Sequence, residues 1–172
     1  MPNIEIKARC NNPQKAQIIA KKYQTEYLGV LHQIDTYFRT QTGRLKLREI
    51  NGKIAQLIPY KKDYQTGPMK SEYTLLPVAD PKVTKELLSA LLGVEFVVDK
   101  LREVFLIENV RVHLDRVQSL GEFIEFEAVC SSDSEEEFSR QTKKIQELMV
   151  TFEIQPKDLL DKSYVDYMTT SY

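Results

Sequence analysis

Gly43-Arg44-Leu45-Lys46-Leu47-Arg48 alternates basic and apolar side chains one by one. In a β-strand successive side chains point to opposite faces, so Arg44, Lys46 and Arg48 share one face and Leu45 and Leu47 the other. Taken alone, this is an ordinary half-buried strand with its polar face in water. Like charges on one face repel, however, and are better tolerated when an anion lies between them. The deciding question is whether neighbouring strands present matching faces.

Working outward, Asn51-Gly52 is a hairpin signal that makes 44–50 and 53–62 antiparallel neighbours. In the second arm Ile58, Tyr60 and Lys62 share a face, with Lys61 taking the place of Lys62 if the register slips by one. On the other side, 31–40 reads as a strand that groups Gln33, Asp35, Tyr37 and Arg39. The N-terminal segment 3–9 alternates strictly, with Asn3, Glu5 and Lys7 together. Further strands are predicted over 71–78, 95–108, 110–117 and 123–129. They align Lys100 with Arg102, Arg111 with His113 and Asp115, and Glu125 with Glu127.

Three helices punctuate the strands. Asn12-Pro13 and Asp80-Pro81 open two of them, the second ending at Gly93. The acidic run Ser131–Glu137 reads as the capped start of the third, where carboxylates suit the helix dipole. A short C-terminal helix or coil carries Lys162, Ser163 and Tyr164. No repeat, linker or low-complexity tract interrupts the chain, so residues 1–172 are expected to form a single domain.

The 24 basic and 25 acidic side chains leave a net charge of −1, which points to neither nucleic acid nor an anionic membrane as partner. Electrostatic function must therefore be local. Cys10 and Cys130 have no metal-ligand spacing and read as reduced core residues of a cytoplasmic protein. The start lacks a basic-then-apolar leader, and no apolar run approaches membrane-spanning length.

About eight strands joined by short turns suggest an antiparallel sheet that closes on itself, an α+β fold with helices covering the outside. If the polar face turns inward, the interior is a tunnel lined by Lys7, Arg44, Lys46, Arg48, Lys62, Lys100, Arg102 and Arg111. Buried cations need compensation. A triphosphate, with roughly four negative charges near neutral pH, would supply it. Glu5, Asp115, Glu125 and Glu127 then make sense as oxygen ligands for Mg²⁺ or Mn²⁺. The plainer reading is that acids and bases neutralise one another as internal ion pairs.

Glu5-x-Lys7, Arg44-x-Lys46-x-Arg48, Lys100-x-Arg102, Arg111 with Asp115, and Glu125-x-Glu127 together resemble the CYTH superfamily, the triphosphate tunnel metalloenzymes. Asp35-Thr36-Tyr37-Phe38, Gly67-Pro68 with Ser71, and Leu120-Gly121-x-Phe123 extend the resemblance over nearly the whole chain. It looks closest to the branch named for class IV adenylyl cyclases. The resemblance implies an eight-stranded antiparallel tunnel, dependence on Mg²⁺ or Mn²⁺, and a triphosphate-bearing small molecule as substrate. It assigns metal to Glu5, Glu125 and Glu127, with Asp115 contributing, and phosphates to the basic residues above. Tyr37 and Lys62 match positions thought to activate water in thiamine triphosphatases of the superfamily. His113 shares the inward face but reads first as a structural hydrogen-bonder.

One position departs. The superfamily signature begins Glu-x-Glu-x-Lys, and Asn3 stands for its first Glu. A metal-dependent triphosphatase is the favoured expectation, since nothing in the chain identifies an adenine pocket. An adenylyl cyclase releasing pyrophosphate and a non-catalytic polyphosphate or nucleotide binder are the alternatives. A homodimer is compatible with all three.

Overall fold

The computed structural model describes residues 2–60, 67–71, 73–161 and 164–168. Nine antiparallel strands form one sheet, in the order β5-β1-β9-β8-β7-β2-β3-β4-β6. They are β1 (Asn3–Arg9), β2 (Glu26–Phe38), β3 (Arg44–Ile50), β4 (Ile54–Tyr60), β5 (Met69–Ser71), β6 (Leu76–Pro77), β7 (Val94–Ile107), β8 (Val110–Val117) and β9 (Gly121–Val129). The helices are α1 (Pro13–Tyr23), α2 (Pro81–Leu92), α3 (Glu135–Thr151) and the short α4 (Tyr164–Met168).

Connectivity forces the sheet to curl. Nine strands laid flat at a spacing of about 4.8 Å would set the outer two about 38 Å apart. Yet β5 and β6, at opposite ends of the order, are separated only by residues 72–75, which reach at most about 18 Å. An isolated bridge between Tyr60 and Tyr73 draws the two margins together.

The alternation read from the sequence holds within the strands, and two segments need correcting. β2, expected over 31–40, runs from Glu26 to Phe38, so Arg39 lies exposed beyond its end. The region 71–78 is divided. Where a single strand was expected over 71–78, the chain forms β5 on one edge and β6 on the other, giving nine strands rather than eight. Each is too short for its sequence period to reveal it, and Pro77, which lacks an N–H, suits an edge. The Asn51-Gly52 turn has both residues at positive φ, 51° and 63°, and is closed by the Lys53 N–H donating to the Ile50 carbonyl at 3.0 Å, with Ile50 paired to Ile54 across a three-residue loop. Gly43 also sits at positive φ (68°), and a Cβ there would lie 3.0 Å from the Tyr60 carbonyl oxygen.

Helix caps appear where the sequence placed them. Asn12 caps α1, Asp80 caps α2 and Ser134 caps α3, each accepting a backbone N–H through its side chain. Three acids in the first turn of α3 complement its dipole.

The main apolar core lies outside the curled sheet. Ile4, Ile6 and Ala8 of β1 and Ile124, Phe126 and Ala128 of β9 pack beneath Ala16 and Ala20 of α1 and Ile145 of α3. A second patch, Phe38, Leu47 and Ala55, lies under Leu88 of α2. The opposite face of the same strands is left for polar groups. Among the described residues, no helix is long and apolar enough to cross a membrane.

Candidate active site

Strand register brings the inward residues together. Glu5 lies opposite Glu127 and Lys7 opposite Glu125 across β1 and β9. Arg102 lies opposite Asp115 across β7 and β8, and Asp35 opposite Arg48 across β2 and β3. Directly opposed side chains share a face. The cavity they form, about 160 Å³ and open to solvent, is lined by Glu5, Lys7, Asp35, Lys46, Arg48, Lys100, Arg102, Glu125 and Glu127, together with aromatic groups and Ile58.

Its charges are paired but unevenly divided between two sides. On the β3 and β7 side, four cations (Lys46, Arg48, Lys100 and Arg102) share two carboxylates, Asp35 and Asp115. On the β1 and β9 side, three carboxylates (Glu5, Glu125 and Glu127) meet Lys7, with Arg102 reaching across to Glu125 and Arg111 reaching Glu127 from the rim. The cavity therefore has a positive wall and a negative wall.

Asp35 organises the positive wall. Arg48 donates to it in bidentate fashion at 2.7 and 2.7 Å, Lys46 lies at 3.3 Å and Lys100 at 3.9 Å. Burial alone would raise its carboxyl, but Lys46, Arg48 and Lys100 outweigh that and hold it well below the usual range. Arg102 donates to both oxygens of Asp115 at 2.7 and 2.6 Å, and reaches Glu125 at 3.1 Å. Such paired, bidentate guanidinium groups are rigidly aimed.

The lysines are less securely charged. Burial and the nearby Arg48 push Lys46 down to about 8. Burial and Arg102 hold Lys100 well below an ordinary lysine. An anion between cations crowded in this way favours their charged form.

On the negative wall, Glu5 makes no hydrogen bond or ion pair among the described residues. Burial, then the neighbouring Glu125, pushes it up to about 7. An open carboxylate crowded by others is the condition a divalent cation relieves, and hard oxygen donors suit Mg²⁺ or Mn²⁺. Among the described residues, no three acidic, His or Cys groups enclose a metal by themselves. Mg²⁺ does not require that, since it is commonly held by one or two carboxylates plus phosphate oxygens.

A CYTH domain family model matches residues 1–164. The chain belongs to the CYTH family. No curated protein matches it. Among solved structures, the Pyrococcus horikoshii PH1012 protein is 23% identical with a TM-score of 0.83, covering 95% of this chain and 98% of that one. A Vibrio parahaemolyticus protein described as a candidate adenylate cyclase is 21% identical with a TM-score of 0.79, covering 97% of each chain. Hippeastrum HpAC1, described as having a dominant triphosphatase activity, is 15% identical with a TM-score of 0.69, covering 98% of this chain and 95% of that one. At such identities these likenesses speak for the tunnel fold alone.

Within this CYTH tunnel most of the sequence-predicted residues converge, and several do not reach the cavity. Lys7, Lys46, Arg48, Lys100, Arg102, Glu5, Glu125, Glu127 and Tyr37 line it. Arg44 is buried beside it and paired with Asp166 of α4. Arg111 is 43% exposed in its side chain and contacts Glu127 at 3.4 Å. Asp115, expected as a metal ligand, is 0% exposed, with both oxygens bonded to Arg102, and does not line the cavity. His113 is buried behind Glu125, 3.4 Å away. Lys62 and its neighbour Lys61, with Lys162 and Ser163, lie outside the described residues.

Tyr37 lines the CYTH cavity and hydrogen-bonds Tyr60. Burial, then Tyr60 and Asp35, raises its phenol well above the ordinary range, so it stays protonated and acts as a donor at neutral pH. Five lining residues were missed as site members: Asp35, Ile58, Tyr60, Tyr73 and Tyr164. Asp35 and Tyr60 carried a readable signal, because both fall on the inward face. Tyr164, whose hydroxyl donates to Asp115 at 2.9 Å, comes from α4 and carried none.

Proposed function

We propose that the protein is a divalent-metal-dependent triphosphatase acting on a nucleoside, thiamine or inorganic triphosphate. The observation that carries this reading is the uneven division of charge between opposed walls. A metal–polyphosphate complex has the same polarity, with oxyanions for Lys46, Arg48, Lys100 and Arg102 and a cation for the carboxylates.

Phosphoryl transfer asks little covalent chemistry of a protein, so positioning and electrostatics account for most of the rate. Arg48 and Arg102, aimed by Asp35 and Asp115, grip phosphate oxygens. Lys46 and Lys100, whose charge burial disfavours, are stabilised as cations by the bound substrate. Glu5 and Glu127, with Glu125 behind them, would hold Mg²⁺ or Mn²⁺. When bound, such an ion neutralises charge on the phosphate oxygens. Tyr37, protonated, orients the attacking water as a donor, with Lys62 as its expected partner.

Hydrolysis is preferred over cyclisation because water needs no dedicated binding pocket, whereas nothing in the chain identifies one for adenine. A cyclase must also place a ribose hydroxyl against the α-phosphorus. Phosphate release and cyclic AMP formation from ATP, tripolyphosphate and thiamine triphosphate, with Mg²⁺ and with Mn²⁺, decide the matter. Phosphate is the expected product. Predominant cyclic AMP would make the protein a cyclase, and binding without turnover would make it a polyphosphate-binding module.

Two further outcomes follow from the positive wall. Arg48→Ala should raise KM about 10- to 100-fold, the weight of one or two charge-assisted hydrogen bonds, with a smaller change in kcat. An unaltered KM would remove Arg48 from the phosphate grip. Lys46 is charged below its value of about 8 and neutral above it, so KM should be flat at lower pH and climb beyond that point. Lys46→Arg, which stays charged, should flatten the climb.

A further inference from the structure

Glu127 is tied down on one side only. Its Oε1 accepts the Asn3 side-chain amide at 2.6 Å and the Tyr73 hydroxyl at 2.8 Å, and Arg111 stands 3.4 Å from the same oxygen. A carboxylate offers about two lone-pair sites per oxygen, so Oε1 has none left for a metal. Oε2 has no hydrogen bond among the described residues.

The other acids sort equally clearly. Glu125 meets Lys7 and Arg102 through Oε2, at 3.1 Å each, and His113 at 3.4 Å through Oε1. Asp115 is spent on Arg102 and Tyr164. Glu5, directly opposite Glu127 in the ladder, keeps both oxygens open to the cavity. Facing a carboxylate, Asn3 must present its N–H₂ rather than its carbonyl oxygen, so it acts on Glu127 and not as a ligand.

We propose that the tunnel takes a single divalent cation between Glu5 and Oε2 of Glu127, with Asn3 and Tyr73 as the positioning residues that aim Glu127. This deepens the metal-dependent reading above and rests on it. Residues of this kind typically change metal affinity 10- to 100-fold when removed.

The test is Mn²⁺ titration of the full chain, followed by loss of the free-ion electron paramagnetic resonance signal, with an unreactive methylene-bridged triphosphate present. One Mn²⁺ per chain is expected, with affinity about tenfold or more weaker in Tyr73→Phe and in Asn3→Ala. Tyr73 is 40% exposed, so its Phe variant keeps the fold and decides the question even where Asn3→Ala is unstable. Two ions per wild-type chain overturns the single-cation assignment, unchanged affinity in Tyr73→Phe overturns the positioning role, and either result leaves the triphosphatase reading standing. No Mn²⁺ bound by the wild type removes both.

Discussion

Glu5→Gln should abolish metal-dependent turnover, lowering kcat about a thousandfold or more, while the metal-free protein keeps its melting temperature. The rate loss follows from the several kcal/mol of transition-state charge stabilisation that a bound cation supplies, at about 1.4 kcal/mol per decade of rate. The stability expectation follows from the contacts. Glu5 has no ion pair to lose among the described residues, and Gln keeps its shape while relieving a crowded negative charge. Turnover and thermal unfolding of the same preparation check both halves. A variant with unchanged kcat would remove Glu5 from the metal site, and one that unfolds would show that Glu5 has a structural partner.

Asp35→Ala should have the largest effect on stability. It strips the counter-charge from Lys46, Arg48 and Lys100 at a position 1% exposed. Breaking a buried ion pair from one side costs about 3–5 kcal/mol. For a chain of 172 residues that is a drop of about 6–20 °C in Tm. A polyanion can stand in for the lost carboxylate, so tripolyphosphate should raise Tm more in the variant than in the wild type. The pH dependence has a definite sign. The folded Asp35 carboxyl is held well below its unfolded value of about 3.9, so its contribution is complete above that value and fades as pH falls through the folded one. The gap between wild type and variant should therefore persist from neutral pH to about 4 and close below it. Coincident melting curves at pH 7 would show that the cations do not depend on Asp35.

The inward faces were legible because strand periodicity is strict. Once Arg44–Ile50 is a strand, Lys46 and Arg48 must lie together, and the same holds for Lys100 with Arg102 and Glu125 with Glu127. The caps at Asn12, Asp80 and Ser134 were legible because their chemistry is local. Depth along the tunnel was not legible. Alternation puts Asp115 and Glu125 on the same side but says nothing of which meets the cavity and which is consumed by Arg102. Asp35 was grouped correctly with Tyr37, yet its pairing with a strand whose basic face was already recognised went uncounted. The division of β5 from β6 and the placing of Tyr164 depend on contacts between residues far apart in sequence, which no short window records.

The apolar packing under α1, α2 and α3 and the chemistry of the cavity occupy opposite sides of the same strands. Odd and even positions of a strand such as β3 or β9 therefore answer to separate demands. Inward residues can drift toward a new guest while their immediate neighbours go on anchoring the scaffold. One architecture can in this way diversify its chemistry through single substitutions, without first being rebuilt.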